Sequence, residues 1–180
     1  METQKLKTKS QEAITSNIDH SVVDCVSDQE KINFLNKKLL SFSSNEMNVD
    51  LIVVSEKPES FSSIVDQSKK TSTSMSYVTD EEEILGVVNT IQLLIAQRSS
   101  LFQLAGAKNW TDYNSMKSNN CSAVVVCFDV SGKQMWNSDN FDSFKDLNEL
   151  VVFAQDYGIS LNFFNLTESA QKMSLELSIK

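Results

Sequence analysis

Ser122-Ala-Val-Val-Val-Cys-Phe-Asp-Val-Ser-Gly-Lys-Gln-Met-Trp136 is the stretch whose reading decides the fold. Side chains alternate faces along a strand, so the unbroken apolar run Ala123–Phe128 does not suit a strand with one wet face. It predicts a central strand covered on both sides. The run is short and rich in valine, which favours strand over helix. Ser131-Gly132 then reads as a tight turn, with Lys133, Gln134, Met135 and Trp136 returning as an antiparallel partner.

Working outward, Asp50-Leu-Ile-Val-Val54 has the same buried character, and Met75–Val78 reads as a short strand. Ile159–Phe163 and Met173–Ile179 alternate apolar and polar residues, which predicts two half-buried strands. Helices are expected between them. Ile14, Ile18, Val22 and Val26 recur at spacing four and suggest a helix over 11–26. Ser27 with Glu30 is a capping-box signature for a second helix to Phe42, with Ile32, Leu35 and Leu39 on one face. Pro58 suits the first turn of a short helix that carries Phe61, Ile64 and Val65. Thr79 with Glu82 opens a long helix to Ala105, lined by Ile84, Val87, Val88, Ile91, Leu94 and Ile95, with Gly106 as its stop. Ser143 with Asp146 marks a last helix, which Gly158 ends.

The resulting helix-strand-strand pattern predicts an α+β protein, a largely antiparallel or mixed sheet with helices packed on it. A doubly wound α/β sheet is the rival; it does not account for the alternation near the C-terminus. Residues 1–45 are expected to form a polar tail and N-terminal helices, and residues 46–180 a single α+β domain.

Net charge of −8 and a pI near 4.7 repel nucleic-acid backbones and anionic membranes. No apolar stretch approaches the roughly 20 residues needed to cross a bilayer, and no signal core follows the basic start. A cytoplasmic location is expected. Cys25, Cys121 and Cys127 read as reduced structural thiols. One histidine and no Cys-x-x-Cys pair exclude a zinc site, and neither a metal nor a cofactor is implied.

Sequences of the type Gly-x-x-x-x-Gly-Lys-Ser/Thr and Gly-x-Gly-x-x-Gly are absent. The strand ending Asp129-Val-Ser resembles a small-GTPase segment, but no phosphate loop or guanine-reading motif accompanies it. Ser16, His20 and Asp24 share a row on the expected first helix, where a surface offers no oxyanion hole. Acids at strand ends, Glu56 and Asp129 with Ser131, are the remaining place for an unfamiliar enzyme site.

With no catalytic constellation, the sequence reads first as a non-enzymatic protein-binding protein, an adaptor, secretion-type chaperone or assembly subunit. An acidic inhibitor of a basic toxin is the second reading. The expected partner is a protein, a basic chain or a second copy. Candidate contact residues are Trp110, Tyr113, Met116 and Trp136, with Leu93, Leu101 and Phe102 on the long helix.

Overall fold

The structure, a computed structural model, describes residues 18–43, 47–64, 73–79, 81–116, 118–129 and 141–165. Its organising element is β4 (Ala123–Asp129), buried at every position. It lies between β2 (Val49–Val54) and β5 (Ile159–Phe164), pairing parallel with both. β3 (Thr73–Val78) adds parallel to β2, and β1 (Ser21–Val23) parallel to β5. The five-stranded sheet therefore runs β1-β5-β4-β2-β3, and all its strands are parallel.

This corrects the antiparallel or mixed α+β expectation. Parallel neighbours need crossovers, and the crossovers cover both sheet faces. Val124, Val126 and Phe128 of β4 meet Ile84, Val87, Val88 and Ile91 of α2 (Glu81–Ala105) and Leu150, Val151 and Ala154 of α4 (Phe141–Ala154). Ala123, Val125 and Cys127 meet Leu35, Leu39 and Phe42 of α1 (Asp28–Ser43) and Phe61 of the 3-10 turn Pro58–Phe61. The fold is thus α/β, with helices on both faces. Ile159–Phe163 alternates in sequence, yet β5 is buried throughout. Its polar members Ser160 and Asn162 are hidden beneath α1 rather than wet: Lys38 Nζ of α1 donates to Asn162 Oδ1 at 2.8 Å. The expected hairpin at Ser131-Gly132 and the strand Met173–Ile179 lie outside the described residues.

A second correction concerns the expected helix over 11–26. Within its described part, residues 21–23 form edge strand β1, and residues 21–43 supply a strand and a helix to the same sheet. Spacing four is shared by one helix face and, since four is even, by one strand face.

The N-terminal ends of β4 and β5 are closed by α3 (Trp110–Ser115). Asn109 caps it, its side-chain oxygen accepting from the Asp112 N–H at 2.9 Å. Trp110 is buried and donates from Nε1 to the Cys121 carbonyl at 3.0 Å. Its indole packs on Gly158, which has φ +73° and so adopts the left-handed region. A Cβ there would overlap the indole ring. Gly158→Ala is therefore expected to lower stability by about 2–4 kcal/mol, combining left-handed strain and overpacking. Urea unfolding with an unchanged m-value is the check.

Candidate functional site

Two adjacent strands send their chains in opposite directions. From β2 the chain leaves over the α1 face through Phe61 and Ile64 toward β3; from β4 it leaves over the α2 and α4 face toward β5. The carboxyl ends of such a pair form a crevice, the usual ligand site of an open parallel sheet. Three polar side chains converge there.

Asp129 is the last residue of β4 and is buried. An acid ending an apolar strand cannot stay charged in that setting without a partner. Lys31, in the first turn of α1, supplies it: Nζ donates to Asp129 Oδ1 at 3.1 Å and Oδ2 at 3.0 Å. The two side chains are 6% and 5% exposed, so the pair is shielded from screening by salt. Burial works to lower the Lys31 pKa, but the Asp129 and Asp28 carboxylates together outweigh it and the net shift is upward. Ser55, which follows β2, donates its hydroxyl to Asp129 Oδ2 at 3.2 Å. At the mouth, Lys31 also meets Asp28 at 3.2 Å, and Asp28 accepts from the Ser60 hydroxyl at 2.8 Å. The Ser60 hydrogen bond and then the Lys31 ammonium hold the Asp28 carboxyl below its ordinary range.

The loop that leads to Lys31 is tethered to the end of β5. Asn165 donates its backbone N–H to Val23 O at 3.0 Å and accepts from the Cys25 N–H at 2.7 Å. The capping box forms as predicted at its Ser27 end, where the Glu30 N–H reaches Ser27 Oγ at 3.3 Å. Glu30 Oε2 returns to the Val26 N–H, at 2.7 Å.

Position matters here. A phosphate loop joins a strand to a helix with the pattern Gly-x-x-x-x-Gly-Lys-Ser/Thr. Read against residues 25–32, Cys25 and Glu30 stand at the glycine positions, Lys31 at the lysine and Ile32 at the hydroxyl. Asp129 ends β4 and faces that lysine.

Comparison with known proteins bears this geometry out at the level of the fold. No protein-family model matches the sequence, and no curated protein sequence is similar to it. Solved structures do resemble it. The conjugation coupling protein TcpA of pCW3, in monomer form with ATPγS, superposes with a TM-score of 0.61 at 13% identity, covering 86% of this chain and 46% of that one. The cytoplasmic domain of the Thermomonospora curvata type VII secretion ATPase EccC gives 0.61 at 14% identity, covering 86% and 19%. ATPases 2 and 3 of the same EccC, in complex with a signal sequence peptide, give 0.55 at 17%, covering 89% and 29%. The chain thus spans less than half the length of these proteins. It resembles these ATPase domains in fold. That finding overturns the adaptor and inhibitor readings and the expectation of a non-enzymatic protein, which rested on the acidic charge, the lack of a catalytic constellation, the strongly apolar long helix and the aromatic segment after it.

Of the residues singled out from sequence, Asp129 is in the crevice. Lys31 and Ser55 were not foreseen: Lys31 stands eight residues beyond the end of a strand that the sequence did not reveal. His20 and Asp24 flank β1 rather than sharing a helix. Trp110 and Phe102 are buried, 1% and 2% exposed, at the opposite end of the sheet. Tyr113 packs on Phe102 with ring centroids 5.0 Å apart, and Met116 follows α3, partly buried. Leu93 and Leu101 lie on the outer side of α2, 63% and 42% exposed. Trp136 and Ser131 lie outside the described residues.

Removing Lys31 strands a buried carboxylate. Lys31→Ala is expected to cost about 3–5 kcal/mol, and the double variant Lys31→Met, Asp129→Leu far less. A double-mutant cycle by chemical denaturation checks the coupling.

Proposed function

We propose that this chain is an ATPase-type nucleotide-binding domain whose crevice at the ends of β2 and β4 receives the phosphate end of a nucleotide with its magnesium ion. The observation that carries the reading is the Lys31–Asp129 pair, a cation at the phosphate-loop position facing an acid at a strand end of an all-parallel sheet. The donor set suits those groups. Lys31 would meet phosphate oxygens, and Asp129 with the Ser55 hydroxyl would hold the metal. Bound magnesium neutralises phosphate charge; the chain itself supplies orientation and a shielded pocket.

The site departs from a full phosphate loop in ways that lower affinity. Ile32 offers no hydroxyl to the metal. The Cys25 and Val26 N–H groups are already engaged by Asn165 and Glu30, so fewer backbone donors remain for phosphate. Glu30 adds a negative charge beside it. Binding therefore requires Lys31 to leave Asp129 and Glu30 to release the loop.

Titration calorimetry with magnesium and ATP, alongside an assay of phosphate release, tests the reading. Saturable binding is expected, weaker than a complete phosphate loop provides, and lost in Asp129→Asn. Absence of saturation up to about 5 mM nucleotide, a free energy of only about 3 kcal/mol, would overturn it.

No described helix is long and apolar enough to cross a membrane. We place the domain in the cytoplasm, a reading supported by likeness to a cytoplasmic domain. We further assign protein contact, with a second copy or a basic chain, to the outer leucines of α2. Leu93 and Leu101 continue there into Leu104, 88% exposed. The paired change Leu93→Lys, Leu101→Lys is expected to leave the fold intact and to abolish any self-association seen by analytical ultracentrifugation. A wild-type chain that is monomeric at about 100 μM, a concentration that populates dimers of micromolar Kd, removes the second copy from that assignment.

A further inference from the structure

His20 is the chain's single histidine and immediately precedes edge strand β1. Its ring touches two backbone groups that leave no choice of tautomer. The Leu161 N–H of β5 can only donate, so Nδ1, at 2.9 Å, accepts and carries no proton. The Val151 carbonyl of α4 can only accept, so Nε2, also at 2.9 Å, carries the proton. β1 begins at Ser21, which registers with Asn162, so the Leu161 N–H lies just before the paired part of that edge. Val151 is in the last turn of α4, so the ring ties the end of that helix to the start of β1. One neutral imidazole thus joins β1, β5 and α4.

We propose that His20 is a proton-sensitive fastener that holds β1, and the loop it leads into, against β5. Protonation puts a second N–H at Nδ1, facing the Leu161 N–H. The hydrogen bond is lost and two donors are opposed. Among the described residues, the charges facing the ring are Asp19, its chain neighbour, and Lys38 from α1, while β5 and α4 present to it the Leu161 N–H and the Val151 carbonyl. Burial and the Lys38 ammonium disfavour the imidazolium, while the Val151 hydrogen bond and Asp19 favour it, and the net shift is below the ordinary histidine value. The released chain therefore binds the proton more tightly than the fastened one. Attachment is complete above about pH 6.5, the unfolded value, and is lost as pH falls through the lower folded value. β1 has only three residues and, among the described residues, pairs with β5 alone; its other polar ties are at its two ends, where Lys38 and Ser160 donate to the Asp19 carbonyl and the Asn165 N–H to the Val23 carbonyl. Its release would also free the Cys25 N–H from Asn165 at the start of the Lys31 loop.

Hydrogen exchange on the full chain tests this without reference to nucleotide. After correction for intrinsic rates, protection of Leu161 is expected to fall on the order of tenfold from about pH 7.5 to about pH 5, the worth of one hydrogen bond. Protection of Val125, in β4, is expected to hold. His20→Gln keeps one acceptor and one donor but does not titrate, and should remove the difference. If that variant does not fold, the single imidazole NMR signal of the wild type still decides the matter. A titration midpoint at or above 6.5, or Leu161 protection that is equal at both pH values, would overturn the proposal.

Discussion

Seven consecutive buried residues in β4 allow one kind of surrounding. Both backbone edges must be paired, and β2 and β5 do this. Both side-chain faces must be covered, which requires helices above and below. Because the pairing is parallel, each strand is followed by a crossover, and all five strands end at the same side of the sheet. The crevice, the reach of α1 toward β4 and the position of Asp129 follow from that one strand.

The two ends of the sheet are used differently. At the N-terminal ends, Trp110 seals against Gly158, while buried Arg98 donates to backbone carbonyls of Tyr157 and Ser122. These contacts tie the Arg98 guanidinium to backbone carbonyls that the sheet leaves open. At the C-terminal ends an acid and a base confront each other in a shielded crevice. A buried pair of that kind adds little net stability compared with apolar packing, because both ions surrender hydration. Under the proposed reading, Lys31 neutralises Asp129 before ligand binds, and a divalent cation and a phosphate group would take the two places.

Much of the local structure was legible. The Ser27–Glu30 cap, the Pro58 turn, the span of α2 and its Gly106 stop all form where local chemistry placed them. Such signals act over four or five residues and survive any tertiary arrangement. β1 was illegible because its three residues are held by β5, by Asn165 and, through the His20 ring, by Leu161 and Val151, all far away in the chain. The direction of pairing was illegible too. Alternation in Ile159–Phe163 suggested a wet face, whereas Ser160 and Asn162 are buried polar residues, satisfied by Asp19, Lys38 and the Val126 carbonyl. Asp129 stood out as an acid closing an apolar strand. Lys31 could not, since 98 residues separate it from its partner and the glycines that would have marked its loop are replaced.

By itself the sequence determined which segments are strands and helices over most of the described chain, and that Ala123–Phe128 must be walled in on both sides. Hydrophobic periodicity and capping chemistry are properties of neighbouring residues, so they are written locally. Only the tertiary structure decided that the strands are parallel, that β1 lies beside β5, and that Lys31, Ser55 and Asp129 meet. Those facts depend on which distant segments share a hydrogen-bond ladder, and no short stretch of chain contains that information.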